Sequence, residues 1–377
     1  MKYLLCPDKF KGTLSATDVC SALREGICMI DGAAEIVEQP LADGGEGSLG
    51  LLEKFWSLER VQVSSFDPLL RPVTTSYLRK GDKAFVELAA TAGLVLLDEG
   101  DRNPMDTTTY GTGIVIGKTI DDGCRDVRLF IGGSATNDAA MGIARALGYQ
   151  FLDKLGDDLA PVGRNLDKVD QIKFNSRSSL FDQVSFSVVC DVVNPFAGPN
   201  GAAYVYAGQK GASSEMIESL DYGLEHFAGK LKENGYADIL NTKGAGAAGG
   251  VGGGMVALMK ADLIPGIDMF FELFEIRQKV SEADIVVTGE GSFDDQSFQG
   301  KVVGKVCEVC AVVSKKCYVV CGVDMRSGAR NDTDGLAKVY PITEVSTGIE
   351  DAKSNARQYV LSLGKQIAQG ALKKKYE

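Results

Sequence analysis

The chain has 377 residues, of which 45% are hydrophobic and 24% charged, and its formal net charge is −11 at pH 7. These fractions are ordinary for a globular protein, and the length suggests about two domains of roughly 100–200 residues each. The negative charge argues against nucleic acid and anionic lipid as partners.

No apolar run reaches the ~18–20 residues that span a bilayer, and the first residues are too polar for a signal peptide. The nine cysteines lie mostly within apolar runs, as reduced thiols do in a cytosol. We therefore expect a cytoplasmic protein that has no membrane partner.

Apolar runs alternate with amphipathic segments along the chain, which predicts strands joined by crossover helices in a parallel sheet. The first strand is predicted over residues 3–7. A helix follows, opened by Ser15 with Asp18 three residues later, the spacing of a capping box. A second strand is predicted over residues 35–40 and a second helix over residues 46–55.

The middle of the chain predicts a hairpin, with strands over 74–78 and 83–89 around the turn Lys80-Gly81-Asp82. Later strands are predicted over residues 127–131, 184–190, 285–288 and 318–321. A closing helix is predicted from about residue 349 to 372.

The sequence pattern differs between the ends of the chain and its middle. The ends are simple strand–helix repeats, whereas the middle holds the hairpin and the glycine clusters. We therefore predict an α/β protein of two domains. A Rossmann-like parallel-sheet domain is built from both chain ends, residues 1–72 and 280–377, and an α/β domain, residues 73–279, is inserted into it. A cleft between two domains is a common place for a ligand.

Four apolar strands are each followed by an acid at the carboxyl end, namely Asp8, Asp43, Asp191 and Glu290. Ligands of open α/β sheets bind at this edge, and carboxylates gathered there suit Mg²⁺ with a bound phosphate. The alternative is that each acid caps the next helix, as the pairing of Asp43 with Glu46 in a D-x-x-E pattern also suggests.

Glycines accompany these acids in residues 43–47 and 289–291, and residues 132–138 join a strand to a helix with Ser134, Thr136 and Asn137. Such turns aim N–H groups and hydroxyls at an anion, although a plain helix cap with a glycine turn is an alternative. Residues 244–249 match G-x-G-x-x-G, but no convincing strand precedes them, so they are a weak dinucleotide signature.

The single histidine, His226, is predicted to lie on the surface, so acid–base chemistry falls to carboxylates or lysines. Phosphoryl transfer needs little more than these, together with Mg²⁺. Lys9 and Lys11 flank a strand end beside Asp8, where they either hold an anionic substrate or form a solvated pair. The C-x-x-C at Cys307 is interpreted as core thiols rather than a metal site.

Many segments resemble the bacterial glycerate kinases that make 2-phosphoglycerate, in order along nearly the whole chain. The similar segments are residues 7–12, 40–47, 103–113, 131–138, 190–192 with 194–195, 201–203, 209–212, 244–250, 287–291 with 294, and 300–301. Four positions depart from the family: Lys9 replaces a usual Ser, Ser292 a usual Arg, and Ala139-Ala140 a common Gly-Gly pair.

The resemblance implies a two-domain α/β kinase that transfers the γ-phosphoryl group of ATP to the 2-hydroxyl of D-glycerate with Mg²⁺. We predict that Asp191 is the general base and that Lys11 is the second catalytic residue. The remaining candidate residues fall into three sets. They are Asp8, Lys9, Ser134, Thr136, Asn137 and Asn194 for substrate; Gly289, Gly291, Asp294 and Lys301 for nucleotide; and Asp43, Glu46 and Glu290 for the metal ion.

Two other functions stay open at this point. An NAD(P)-dependent oxidoreductase of a small hydroxy acid needs a strand before residues 244–249 and an acid about 20 residues later, near Asp262. A non-catalytic anion-binding protein would use the same glycine turns without Asp191. The sequence leaves a homo-oligomer open.

Overall fold

The computed structural model describes residues 1–42, 48–175, 181–298, 300–326 and 335–376. The chain divides into two compact units, unit 1 with Met1–Leu51 and Gly266–Glu377, and unit 2 with Leu52–Pro265. The predicted α/β class is confirmed, with one domain built from both chain ends and a second domain inserted into it.

The strands of the described residues are β1 (Lys2–Leu5), β2 (Glu35–Glu38), β3 (Glu59–Phe66), β4 (Pro72–Lys80), β5 (Lys83–Glu87), β6 (Asp126–Phe130), β7 (Tyr149–Leu152), β8 (Gln171–Phe174), β9 (Ser185–Val189), β10 (Asp262–Ile264), β11 (Ile285–Phe293), β12 (Cys317–Asp324) and β13 (Leu336–Pro341). The helices are α1 (Ala16–Ile30), α2 (Ser48–Trp56), α3 (Ala89–Ala92), α4 (Tyr110–Asp121), α5 (Met141–Ala146), α6 (Ala202–Tyr206), α7 (Ser214–Glu233), α8 (Ala247–Met259), α9 (Gly266–Leu273), α10 (Ile276–Glu282), α11 (Val302–Val312), α12 (Ile349–Ser354) and α13 (Ala356–Tyr376).

Unit 1 is built on a five-stranded parallel sheet in the order β13-β12-β11-β1-β2. The predicted capping box is present, because the Ser15 hydroxyl accepts from the Asp18 N–H and the Asp18 carboxylate accepts from the Ser15 N–H. Helix α1 then packs its apolar face, with Leu23 and Ile27, into a core that it shares with Leu363 of α13. Burying each such side chain stabilises the fold by about 1.5–3 kcal/mol.

Unit 2 is built on a six-stranded mixed sheet in the order β10-β9-β6-β5-β4-β3. Strands β3, β4 and β5 are antiparallel, whereas β5, β6, β9 and β10 run parallel. The predicted hairpin is confirmed as β4–β5, and Gly81 in its turn has φ +60°, a conformation that glycine adopts without a steric penalty.

The prediction of one continuous closing helix is wrong, because α12 ends at Ser354 and α13 begins at Ala356. The break has a local cause at Asn355, whose side chain donates to the Asp351 carboxylate at 2.7 Å and whose backbone closes α12. Asp351 also accepts from the Thr347 N–H at 2.9 Å, so it joins both ends of this short helix.

The single histidine and the C-x-x-C cysteines both lie in the packed structure of the protein. His226 is half-buried rather than a surface residue, and its Nε2 lies 2.7 Å from the Val169 carbonyl oxygen. Cys307 and Cys310 are buried on α11, and all nine cysteines are free thiols. Among the described residues, no helix is both long enough and apolar enough to cross a lipid bilayer.

Candidate active site

A cavity of about 550 Å³ opens at the carboxyl edge of the unit 1 sheet. It brings together seven candidate residues from three separate stretches of sequence. They are Asp8, Lys9, Lys11, Glu290, Gly291, Asp294 and Lys301. Strands β1 and β11 are neighbours in the sheet, so the residues that follow β1 meet the carboxyl-terminal half of β11, and the Asp8 N–H donates to the Gly289 carbonyl at 2.8 Å.

The loop after β1 is held in a defined conformation by its own backbone. Phe10 and Leu14 exchange two backbone hydrogen bonds of 2.8 and 3.0 Å across a turn in which Gly12 has φ +78°. The Asp8 carboxylate accepts from the Lys9 N–H at 2.6 Å. Because Phe10 is buried between them, Lys9 and Lys11 stay at the cavity rather than on a free loop.

Glu290 is the most buried acid of this cavity, with 9% of its surface exposed. Burial raises the pKa of Glu290, and a hydrogen bond from Ser297 and the positive charge of Lys301 act in the opposite direction. Its Oε1 has no hydrogen-bond partner among the described protein atoms. A buried carboxylate oxygen of this kind fits a divalent cation, because the cation supplies the positive charge that the site needs.

The other two predicted metal ligands, Asp43 and Glu46, lie outside the described residues. In the part of the chain that the structure describes, no three Asp, Glu, His or Cys side chains form a group that could hold a metal ion. Glu290 is therefore the one predicted ligand whose surroundings are known, and these surroundings suit the role.

A second cluster of candidates lies in unit 2, in the loop that follows β6. Ser134, Thr136 and Asn137 are all buried there, with 6%, 0% and 0% of their surfaces exposed. Two residues in the left-handed region, Ala139 and Ala140 with φ of 51° and 61°, separate them from the first turn of α5. The predicted polar residues therefore sit in a loop ahead of the helix rather than in its first turn.

The central group of this cluster is Lys210, which the sequence analysis did not select. Its side chain is 2% exposed, and its Nζ donates to the Ser134 hydroxyl at 2.8 Å and to the Thr136 carbonyl at 2.7 Å. Burial lowers the pKa of Lys210 to about 7, and the charge of Asp138 partly offsets this effect. The signal available in the sequence was its place in one of the segments shared with the family, residues 209–212.

Asp138 is the carboxylate of this cluster and is fully buried. Its Oδ2 accepts from the Thr109 N–H at 2.7 Å and from the Thr109 hydroxyl at 2.8 Å. Burial raises the pKa of Asp138, and these hydrogen bonds oppose the rise. The Asp138 Oδ1, the Thr136 hydroxyl and the Asn137 amide lack hydrogen-bond partners among the described protein atoms. Buried polar groups are nearly always paired, so these atoms suit a bound water or a polar ligand.

The glycine cluster of residues 244–250 supports this loop from behind. A Cβ on Gly249 would clash with the Thr136 carbonyl, and one on Gly254 of α8 would clash with the Ala139 carbonyl. No strand precedes the cluster within the described residues 236–246, where an oxidoreductase of the dinucleotide-binding type requires one. The glycines therefore serve close packing, and the oxidoreductase alternative loses its main sequence support.

Asp191 and Asn194 follow β9, the strand next to β6 in the unit 2 sheet. Asp191 is exposed. Asn194 has a structural role, because its Nδ2 donates to the Asn200 carbonyl at 2.9 Å and its Oδ1 accepts from the Tyr206 hydroxyl at 2.6 Å. These contacts occupy both ends of an amide that was predicted to bind substrate.

Comparisons with known proteins agree with one another. The model of the glycerate kinase family matches residues 3–372. A glycerate kinase of Bacillus subtilis (strain 168) is 35% identical over 370 residues, which cover 98% of this chain and 97% of the relative. A glycerate 2-kinase of Escherichia coli (strain K12) is 35% identical over 325 residues, which cover 85% of each chain.

A similar fold has been seen in a crystal. The crystal structure from Salmonella typhimurium LT2 that is described as a glycerate kinase 2 matches this chain with a TM-score of 0.86 and 33% sequence identity, over 100% of both chains. The family match and the two relatives each extend over most of the sequence. The chain belongs to the glycerate kinase family, and it is a kinase.

Proposed function

We propose that this protein phosphorylates D-glycerate at its 2-hydroxyl with ATP and releases 2-phospho-D-glycerate. The observation that carries the proposal is the unit 1 cavity, where three carboxylates and four lysines from distant stretches of sequence line one space. Its size lies in the ~300–1,000 Å³ range of small-molecule sites. The 2-position is supported by the relative named glycerate 2-kinase.

The nucleotide phosphates are assigned to the charged part of this cavity. Lys301 stands at the start of α11 and lines the cavity together with Lys11. A Cβ on Gly291 would lie 3.3 Å from the Lys11 backbone nitrogen, so the loop after β1 approaches β11 closely at this point. Glu290, with Asp43 and Glu46, would hold Mg²⁺, which when bound neutralises charge on the phosphate oxygens. Asp294 orders the turn before α11 by accepting from the Ser297 N–H at 3.1 Å.

The glycerate side of the reaction is assigned to Asp191 and to the loop of Ser134, Thr136 and Asn137. Asp191 accepts the proton of the 2-hydroxyl as its oxygen bonds to phosphorus, which is the role of a general base. The loop binds the glycerate carboxylate through hydroxyl and amide groups, and Lys11 is the second proposed catalytic residue.

The decisive experiment couples ADP formation to added glycerate and identifies the product by phosphorus–proton coupling in NMR, since a phosphate on C2 couples to the methine proton. We expect Asp191→Asn to lower kcat by about 10²–10⁴-fold, the contribution of a general base. The matched control is Asp167→Asn, which removes an exposed carboxylate from the same unit. A kcat for Asp191→Asn within about tenfold of the parent would overturn the assignment of the base.

The same assay separates the alternatives. A protein that forms no ADP with glycerate is not this kinase, and a change in nicotinamide absorbance would favour the oxidoreductase. Phosphorylation at the 3-hydroxyl would keep the kinase and overturn the proposed product.

A further inference from the structure

The unit 1 cavity has a charged side and an apolar side, and the order of the sheet separates them. The acids of the lining and three of its four lysines lie after β1, on β11 or after β11, whereas Val323 belongs to β12 and Ile342 follows β13. The sheet runs β13-β12-β11-β1, and neighbouring strands lie about 4.8 Å apart, so these four strands extend over about 14 Å. The cavity is therefore an elongated site whose polarity changes along its length.

The apolar side is built mainly from small and aliphatic side chains, and the charged residue that lines it is Lys353, whose ammonium group pairs with Glu350 at 3.4 Å. Ile342, Ala352 and Ala356 are buried, with 1%, 8% and 4% of their surfaces exposed. Ile349 lines the same side and is 64% exposed, so it lies at the mouth of the cavity. The two alanines, on α12 and at the start of α13, keep the space between this helix pair and the sheet open.

Two glycines, Gly291 on β11 and Gly322 on β12, line the cavity between the two sides. These positions carry no side chain, so a flat ligand can approach the main chain there. Thr343 adds a hydroxyl at the edge of the apolar side, where it can form a hydrogen bond with a polar atom of the ligand.

We propose that the apolar side is the subsite for the purine base of the nucleotide, with Ala352 and Ala356 forming its wall and Ile349 covering the base from the mouth. This inference rests on the proposed use of ATP and names the residues that recognise its base. The phosphate chain then extends toward Glu290 and Lys301. Glycerate does not suit this side, because a three-carbon hydroxy acid has almost no apolar surface to bury.

The experiment compares two probes, ADP and inorganic pyrophosphate, by isothermal titration calorimetry with Mg²⁺ present. Ala352→Leu fills the base subsite and leaves the phosphate side intact. We expect it to weaken ADP binding by about tenfold or more and to leave pyrophosphate binding within about twofold. Ala337→Leu, at an exposed position on β13, is the matched control and should bind both probes like the parent.

A second variant tests the subsite independently, in case Ala352→Leu does not fold. Ile349→Asp changes an exposed side chain, so the fold tolerates it, and it should weaken ADP about fivefold or more with little effect on pyrophosphate. Parent-like ADP binding by both variants would overturn the subsite. So would equal weakening of the two probes in correctly folded Ile349→Asp.

The base subsite and the proposed reaction can fail separately. If the parent forms no ADP with glycerate but both variants lose ADP binding selectively, the result supports the base subsite and rejects the glycerate reaction. If glycerate-dependent ADP formation continues in both variants with an unchanged KM for ATP, the reaction stands and the subsite falls.

Discussion

Lys210 donates a hydrogen bond from Nζ to the Ser134 hydroxyl at 2.8 Å, across 76 residues of sequence, while its side chain is 2% exposed. A second hydrogen bond of 2.7 Å to the Thr136 carbonyl fixes the backbone of the same loop. A buried lysine costs free energy unless its ammonium group is paired, so this residue holds the loop in one conformation. The loop is the one to which we assign the glycerate carboxylate.

Replacing Lys210 should therefore affect stability and glycerate binding together. Lys210→Met keeps most of the aliphatic length but leaves the Ser134 hydroxyl, the Thr136 carbonyl and the Asp138 carboxylate without the cation. We expect a loss of roughly 2–3 kcal/mol in the free energy of unfolding, measured with urea, and a larger rise in the KM for glycerate than fall in kcat. Lys173→Met, at an exposed position on β8, is the control and should change neither quantity.

An equal change in the KM for ATP and the KM for glycerate would contradict a local role for Lys210. So would an unfolding free energy within about 0.5 kcal/mol of the parent, the range of ordinary surface substitutions.

The same lysine predicts a pH dependence of stability. Its pKa in the folded protein is about 7, below the ordinary value of 10.5, because burial disfavours the charged form. Between pH 7 and pH 10.5 the unfolded chain binds more protons at this lysine than the folded protein does. The contribution of Lys210 to the free energy of unfolding therefore rises as the pH rises and falls as the pH falls toward 7. The slope from one such group is at most about 1.4 kcal/mol per pH unit.

The measurement is the difference in urea unfolding free energy between the parent and Lys210→Met at pH 7, 8 and 9. Groups common to both proteins cancel in this difference. We expect the parent to gain relative to the variant as the pH rises, and a flat or falling difference would show that the lysine stays fully charged.

The packing of α8 against the loop gives a third prediction. A Cβ on Gly254 would overlap the Ala139 carbonyl oxygen, so Gly254→Ala must displace the left-handed turn at Ala139 and Ala140. We expect a loss of about 2–4 kcal/mol and reduced glycerate turnover. Gly229→Ala on α7 is the matched control, because that Cβ meets nothing within 4 Å, and it should stabilise the protein by about 0.5–1 kcal/mol.

Thermal and urea unfolding of the two variants provide the comparison. If Gly254→Ala were as stable as Gly229→Ala, the close approach of α8 to the loop would not exist in solution.

Much of the fold was predictable because its signals are local. The capping box of Ser15 and Asp18 needs only four residues, and the β4–β5 hairpin needs a turn glycine between two apolar runs. The break at Asn355 was missed because the apolar pattern continues through it, and only the contact of its side chain with Asp351 shows where the helix ends.

The site was predictable to the extent that it follows strand ends. Asp8 and Glu290 were expected to meet, since each follows a parallel strand, and they line one cavity. Lys210 was missed because a lysine in a short polar segment normally lies in solvent, and only the tertiary structure buries it. The glycines near residue 249 were considered as a dinucleotide-binding signature. In the structure they allow the backbone of the loop at Thr136 to approach closely.

Glu290 supplies the last prediction, in which stability and activity change in opposite directions. Its carboxylate is buried, and its Oε1 lacks a hydrogen-bond partner among the described protein atoms. Glu290→Gln keeps the shape and removes the charge, so the free protein should gain roughly 0.5–2 kcal/mol at neutral pH while glycerate-dependent ADP formation falls by about 10²-fold or more. The rise in melting temperature that ADP produces should no longer depend on added Mg²⁺. Glu25→Gln removes an exposed carboxylate from the same unit and should leave all three measurements unchanged, because surface ion pairs contribute little. A Glu290→Gln protein that is less stable than the parent, yet keeps its Mg²⁺-dependent response to ADP, would place this acid in the architecture of unit 1 rather than in its chemistry.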